Sequence, residues 1–495
     1  MKIYAFLLIY FIFPIFLLSK TITVGAKGEY TDLTAALSNA VPGDTVLLLS
    51  EKHKVNQYIK NIKGSPDKWI IITSDEKNPA VFEGGSTAFQ ISDASYLKIS
   101  NITFSGQTGN GLNIDDGGSY DSPTEYIIIE NCSWLNMNAT GNNDELKMSG
   151  VDNFEIRNCI FMNGAAGGSM IDMVGCHKGK IYKNKFQNAG SNAIQAKGAC
   201  SEIDIYQNLF QNAGQRSINI GGSTGLEFFR PPDAKYEAKD IRVFTNQFRG
   251  SMAPIAFVGA INCSVVNNLL FMPDRWLVRI LQENISNGFA LCGNNIFANN
   301  ICYFDNKANN ERGINIGSNT LPATFDFSNN LWFNIQNSNW NGPNPAVNHK
   351  NTILNQDPEL IESGLVFKIS KTSPAVGKGL FFDFIKYDYF GESYNNPPSI
   401  GASEGSPPIS GIYEPGSSTI QYSNFLSIAD FQNFLTNQDL DQIQLKIYDF
   451  CGKEFFQTNK EKEDFQGLNN IPNGIYYYTI SNGNKSFKSG LIINF

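Results

Sequence analysis

NCSWLNMNATGNNDELKMSGVDNFEIRNCIFMNGAAGGSMIDMVGCHKGKIYKNKFQNAGSNAIQAKG, residues 131–198, repeats one short phrase: NCSW at Asn131, NCIF at Asn158, NKF at Asn184. Outward from this stretch the phrase recurs as NITF at Asn101, NLF at Asn208 and NQF at Asn246, then as NNLL at Asn267, NNI at Asn299 and NNLW at Asn329. The first six starts are 30, 27, 26, 24 and 38 residues apart. A recurrence of that length marks a stacked repeat architecture.

Each phrase follows a short β-rich run such as YIIIE, FEIR, KIYK or DIYQ, and a second run lies about half a period away. The second runs align on glycine: LKMSG to Gly150, IDMVG to Gly175, IQAKG to Gly198, INIGG to Gly222 and IAFVG to Gly259. Brief strands, no helical period and Asn or Gly at every corner describe a coil that stacks on copies of itself. The expected fold is all-β: a right-handed parallel β-helix. Asn tolerates the left-handed backbone of a bend, and stacked Asn amides can bond along the stack. Phe104, Trp134, Phe161, Phe186, Phe210 and Phe248 should form an aromatic file inside.

The chain has 495 residues, which a solenoid accommodates by adding coils rather than domains. Its net charge of −8 argues against nucleic acid as a partner. Residues 1–19 carry Lys2 and an uninterrupted apolar run from Ile3 to Leu18 that includes Pro14, which reads as a cleaved secretory signal. No later segment is apolar enough to span a bilayer, and a secreted or surface-attached monomer is expected. Cys132 with Cys159, and Cys176 with Cys200, fall at equivalent positions of neighbouring coils. Coils about 4.8 Å apart leave such thiols near the short limit for a disulfide, so a ladder of small buried thiols is expected.

Thr31 reads as the N-cap of a short helix with Leu33, Ala36 and Leu37 on one face, a cap for the open end of the sheets. The β-helix is assigned to 20–403. A linker rich in Gly, Pro and Ser follows at 404–419, then a small antiparallel β-sandwich at 420–495 with alternating runs and NG turns.

The opening TITVGAKGEYTDLTAALSNA, with YIKNIKGSPDKWIIITS and the Asn coils, resembles exported β-helix proteins of the chondroitinase B and alginate lyase type, over about residues 21–403. IYDFCGK and IPNGIYYYTI resemble the C-terminal sorting domain of the type IX secretion system of Bacteroidota. These resemblances imply export by that machinery and action on an acidic polysaccharide. In the first family a Glu-x-Glu run precedes the basic residue, and an Arg follows one coil later. Here Asp144–Lys147 reads DELK, and the next coil carries Asp172 and His177, so no catalytic residue is carried over by motif.

Alternation along the glycine-aligned strands turns Leu146, Met148, Ile171, Met173, Ile194, Ala196, Ile218 and Ile220 inward. The outward file is then Asn113, Lys147, Asp172, Gln195 and Asn219, with Asp115 and Lys197 beside it. The stretched 38-residue interval holds an insertion with Phe229 and Arg230, expected to overhang a groove. β-Elimination of a uronate needs its carboxylate neutralised, by Ca²⁺ on oxygen ligands or by Arg, and a base to take the C5 proton. On this reading Asp115, Asp144 and Glu145 hold a cation together with Asp172. Lys147 or Lys197 is the base, lowered in pKa by other cations. Arg216 and Arg230 hold substrate carboxylates, while Asn113, Gln195, Asn219 and Phe229 line the subsites. Two alternatives stand beside it: a glycoside hydrolase using Asp144 or Glu145 with Asp172, and a non-catalytic surface protein that binds glycan. His177 is expected as an exposed turn residue, and Arg279, between apolar neighbours, should face out.

Overall fold

The computed structural model describes residues 19–405 and, beyond them, 421–425, 431, 444–448, 454–458, 468, 471, 474–482 and 485–494. The expected signal at 1–19 and linker at 404–419 lie almost wholly outside the described residues. One coil illustrates the rest. Val151–Arg157 pairs in a first parallel sheet, Ile160–Met162 in a second and Ser169–Val174 in a third, after which His177–Tyr182 re-enters the first. Repetition yields sheets of 15, 12 and 10 strands, the right-handed parallel solenoid expected.

The corners divide a role that the sequence merges. Asn101, Asn131 and Asn158 occupy the left-handed bend (φ 58°, 54° and 53°), but in later coils Lys183, Gln207 and Thr245 hold that bend. Asn184, Asn208, Asn246, Asn268, Asn300 and Asn330 stand one position further on and form a buried ladder. Each Nδ2 except that of Asn330 donates to the next Oδ1 at 3.0 to 3.2 Å, and each Oδ1 also accepts a backbone N–H. Cys132 and Cys159 fill the ladder position in the coils above, and the Cys159 amide donates to Asn184 Oδ1 at 2.9 Å. All seven described cysteines are buried and unpaired.

Inside, Phe104, Trp134, Phe161, Phe186, Phe210 and Phe248 stack at centroid spacings of 4.6 to 5.0 Å, as their recurrence predicts. The capping helix is Leu33–Leu37, burying Leu33, Ala36 and Leu37; its N-cap is Asp32, not Thr31, because the Asp32 carboxylate reaches the Ala35 N–H at 2.9 Å. After the last coil the chain doubles back. The hairpin of Leu360–Ser363 and Val366–Ile369 lays Leu365, Val366, Phe367 and Ile369 on Leu209, Leu269, Ile301 and Leu331 of the second sheet. The outer face of that sheet is therefore apolar, and Gln247 pins the hairpin through two bonds with the Phe367 backbone. The C-terminal region contains a five-stranded sheet that departs from a purely antiparallel arrangement, since Gln421–Phe425 pairs parallel to Lys485–Asn494.

Candidate functional site

The third sheet places a polar ribbon in register. Asn113, Lys147, Asp172, Gln195 and Asn219 are successive partners across parallel strands, and the file continues through Ala256 and Arg279 to Asn315. Asp115, Ser149, Val174 and Lys197 form the file beside it. Leu146, Met148, Ile171, Met173, Ile194, Ala196, Ile218 and Ile220 fill the interior. Period-two alternation thus converts a sequence pattern into a surface.

At the centre of the ribbon two lysines converge on one buried carboxylate. Lys147 donates to Asp172 Oδ2 and lies 3.6 Å from Asp144 Oδ2. Lys197 stands 3.2 Å from Asp172 Oδ1. Asp144 accepts the Ser169 N–H at 2.8 Å. Burial and the Asp172 charge push the Asp144 carboxyl up to about 6. Burial alone would lower Lys147, but Asp172 and Asp144 outweigh it and hold the ammonium above the ordinary lysine value. The expectation of a lysine lowered by other cations is overturned at Lys147: its neighbours are anions.

Five other expectations change. Glu145 does not join the ribbon. It is fully buried at the corner near Gly164 and Met170, both oxygens lack a hydrogen-bond partner, and burial raises its carboxyl well above the usual range. Asp115 is five strand positions from the level of Asp144, about 16 Å along the strand direction, and its carboxylate is engaged by Gln90, Ser92 and the Gly117 N–H. The residues read as Ca²⁺ ligands therefore do not converge, and Lys147 already bridges the two that do. Among the described residues no three His, Cys, Asp or Glu side chains are arranged to hold one ion.

Arg230 and Phe229 are the third and fourth, since neither overhangs the groove. Arg230 Nη1 donates to Asp152 Oδ1 at 2.8 Å and to the Gly175 carbonyl at 3.0 Å, Nε lies 3.7 Å from Asp116, and Tyr120 packs on the guanidinium. A side chain at Gly175 would meet Arg230 Cβ at 2.5 Å, so the glycine is also what lets the insertion lie down. His177 bonds Asp152 at 2.9 Å and lies in a strand, half-buried rather than an exposed turn residue. Phe229 is buried edge-on against Phe289. Glu237 closes the staple, accepting from Gly198 N, Thr224 N, Thr224 Oγ1 and Asn284 Nδ2. The insertion is a fixed wall beside the third sheet.

Arg216 remains at the ribbon, bonding Asn219 Oδ1 at 3.1 Å and Glu283 at 2.8 Å. Arg279 enters the outward file two coils after Asn219, as its apolar flanks require. Its role was legible only as orientation: VRI repeats the in-out-in pattern of IDM and INI. Trp276 is covered by the guanidiniums of Arg275 and Arg279, 4.0 and 4.7 Å from the ring, and offers no open face for a sugar.

Residues 87–270 match the family model of the right handed beta helix region, and residues 421–493 match the CHU_C type IX secretion signal domain. No curated relative matches the sequence. Among solved structures the fold is similar to an alginate lyase from Paenibacillus sp. str. FPU-7, with 15% identity over 61% of this chain and 99% of that one, TM-score 0.42. It is similar to pectate lyase Pel9A, with 11% identity over 78% and 97%, TM-score 0.49, and to XylC in complex with xylose, with 11% identity over 78% and 99%, TM-score 0.48. At these identities the likeness concerns the fold alone. No described helix is long and apolar enough to cross a membrane. The chain is a right-handed parallel β-helix protein whose C-terminal type IX secretion signal domain indicates export and attachment to the cell surface.

Proposed function

We propose that the ribbon of the third sheet cleaves an acidic polysaccharide by β-elimination. The observation that carries the reading is the pair of lysines on one buried carboxylate, Lys147 and Lys197 on Asp172, at the middle of a polar file bordered by a fixed wall. Lys147 keeps its proton, so its role is to neutralise the uronate carboxylate and render the C5 proton acidic. Lys197 touches one carboxylate, shared with Lys147, and is assigned the proton-accepting role. As the C5–H bond yields its electron pair to a C4–C5 double bond, the C4–O glycosidic bond breaks and its oxygen takes up the proton that Lys197 has removed, which returns Lys197 to the free amine. Asp172 holds the Lys147 ammonium and the Lys197 amine side by side. Because the acidic side chains do not gather around one position, no step is assigned to Ca²⁺.

The test is ultraviolet absorbance of the protein mixed with alginate, pectate and chondroitin sulfate. A rise that is lost in Lys197→Ala and diminished in Lys147→Ala supports the assignment; no rise on any uronate overturns elimination. One observation favours a second reading. Asp144, at about 6, sits beside Asp172, and two carboxyls with different proton affinities are what a glycoside hydrolase needs. Reducing ends released without absorbance would select it.

A further inference from the structure

Four coils along the file from Asp172, the ribbon changes character. Arg279 extends outward with Asn315 Oδ1 on its Nε at 3.0 Å and no carboxylate within ion-pair distance among the described residues. Burial and the neighbouring Arg216 charge lower its proton affinity, against the pull of Glu283. Arg216 stands on the coil of Asn219 and Glu283 just past the strand of Arg279, so their 2.8 Å pair crosses the intervening coil. That coil contributes Ala256 to the file, a residue with nothing beyond Cβ to obstruct the crossing. Glu283 is the more exposed partner, 36% against 17% for Arg216.

We propose that Arg216 and Arg279 form a second anion subsite, which takes the carboxylate or sulfate of a polysaccharide lying along the file. Glu283 is its internal placeholder. When the polymer binds, its anionic group takes the place of the Glu283 carboxylate on Arg216 and gains Arg279, which has no ionic partner among the described residues. Solvent screens the pair on its Glu283 side, which is 36% exposed, so the exchange costs little. Four coils at about 4.8 Å place this subsite about 19 Å from Asp172. A pyranose is about as long as one coil is deep, so a chain touching both needs about five sugars. The inference rests on the ribbon being a polyanion groove.

The experiment compares the full-chain protein with Arg279→Ala, Arg279→Lys and Glu283→Gln on a long uronate polymer and on a trisaccharide from it. Arg279→Ala should raise KM for the polymer about tenfold with kcat unchanged, and leave the trisaccharide unaffected. Lysine should restore part of the loss, and Glu283→Gln should lower KM. A polymer KM within twofold of wild type in Arg279→Ala overturns the subsite while elimination stands. If no uronate is cleaved, affinity electrophoresis in gels containing the polymer decides. Retardation of wild type but not of Arg279→Ala keeps the subsite and removes elimination; equal mobility removes both. Equal retardation by a neutral xylan overturns the anionic specificity.

Discussion

Two ion clusters made from similar side chains lie on either side of Gly175 and end in different states. On the third sheet, Asp144, Lys147, Asp172 and Lys197 are set by strand register, and the Lys147 side chain stays 25% exposed. At the corner beyond, Asp116, Asp152, His177 and Arg230 are closed over by the insertion, and Arg230 is only 9% exposed. Register presents charge, whereas a folded-over loop consumes it. An Arg in a long insertion is therefore a poor candidate for binding substrate when acids on preceding coils lie within its reach.

Substitutions separate the two clusters. Asp172→Asn leaves two lysines without their shared partner and should reduce product formation about 1,000-fold, measured as the initial rate of absorbance on the cleaved uronate, with circular dichroism unchanged. A fully active variant would break the distinction between the clusters. At the corner, Arg230→Ala strands Asp152 and Asp116 and should cost about 3 kcal/mol of stability, read from denaturant midpoints. Its kcat should change little, and a kcat as damaged as in Asp172→Asn would show that the corner does chemistry.

Asn208→Ala sharpens the comparison from outside both clusters. It removes the acceptor for Asn184 and the donor to Asn246 in a buried ladder, so about 2 kcal/mol is expected by thermal or chemical unfolding. The smallest effect is in titration. Asp144, raised to about 6 by burial and Asp172, binds protons more readily folded than unfolded, so its contribution to stability falls as pH rises from the ordinary carboxylate range through about 6. Asp152 behaves oppositely. Burial would raise it, but bonds from His177 and Arg230 hold it low, and its contribution is lost as pH falls below that range. Carboxyl carbon chemical shifts should give a midpoint near 6 for Asp144, falling in Asp172→Asn, and one below the usual range for Asp152.

What the residues declared in advance was periodic. The aromatic file, the inward aliphatic residues and the outward order Asn113, Lys147, Asp172, Gln195, Asn219 follow from a repeat near 25 residues and alternation of two, both local properties of a strand. The distinction between bend Asn and ladder Asn was hidden, because NN pairs at Asn267, Asn299 and Asn329 place both roles side by side. Glu145 beside Asp144 reads as one acidic pair, yet a corner turns one carboxyl to the core and the other to the face. Arg230 and Phe229 looked free because their partners, Asp152 and Phe289, lie 78 and 60 residues away along the chain. By itself the sequence determined which residues stack and which face out, since translation from coil to coil repeats each choice. Only the tertiary structure decided which charges were already neutralised, because ion pairing across corners and insertions depends on distances that no single strand contains.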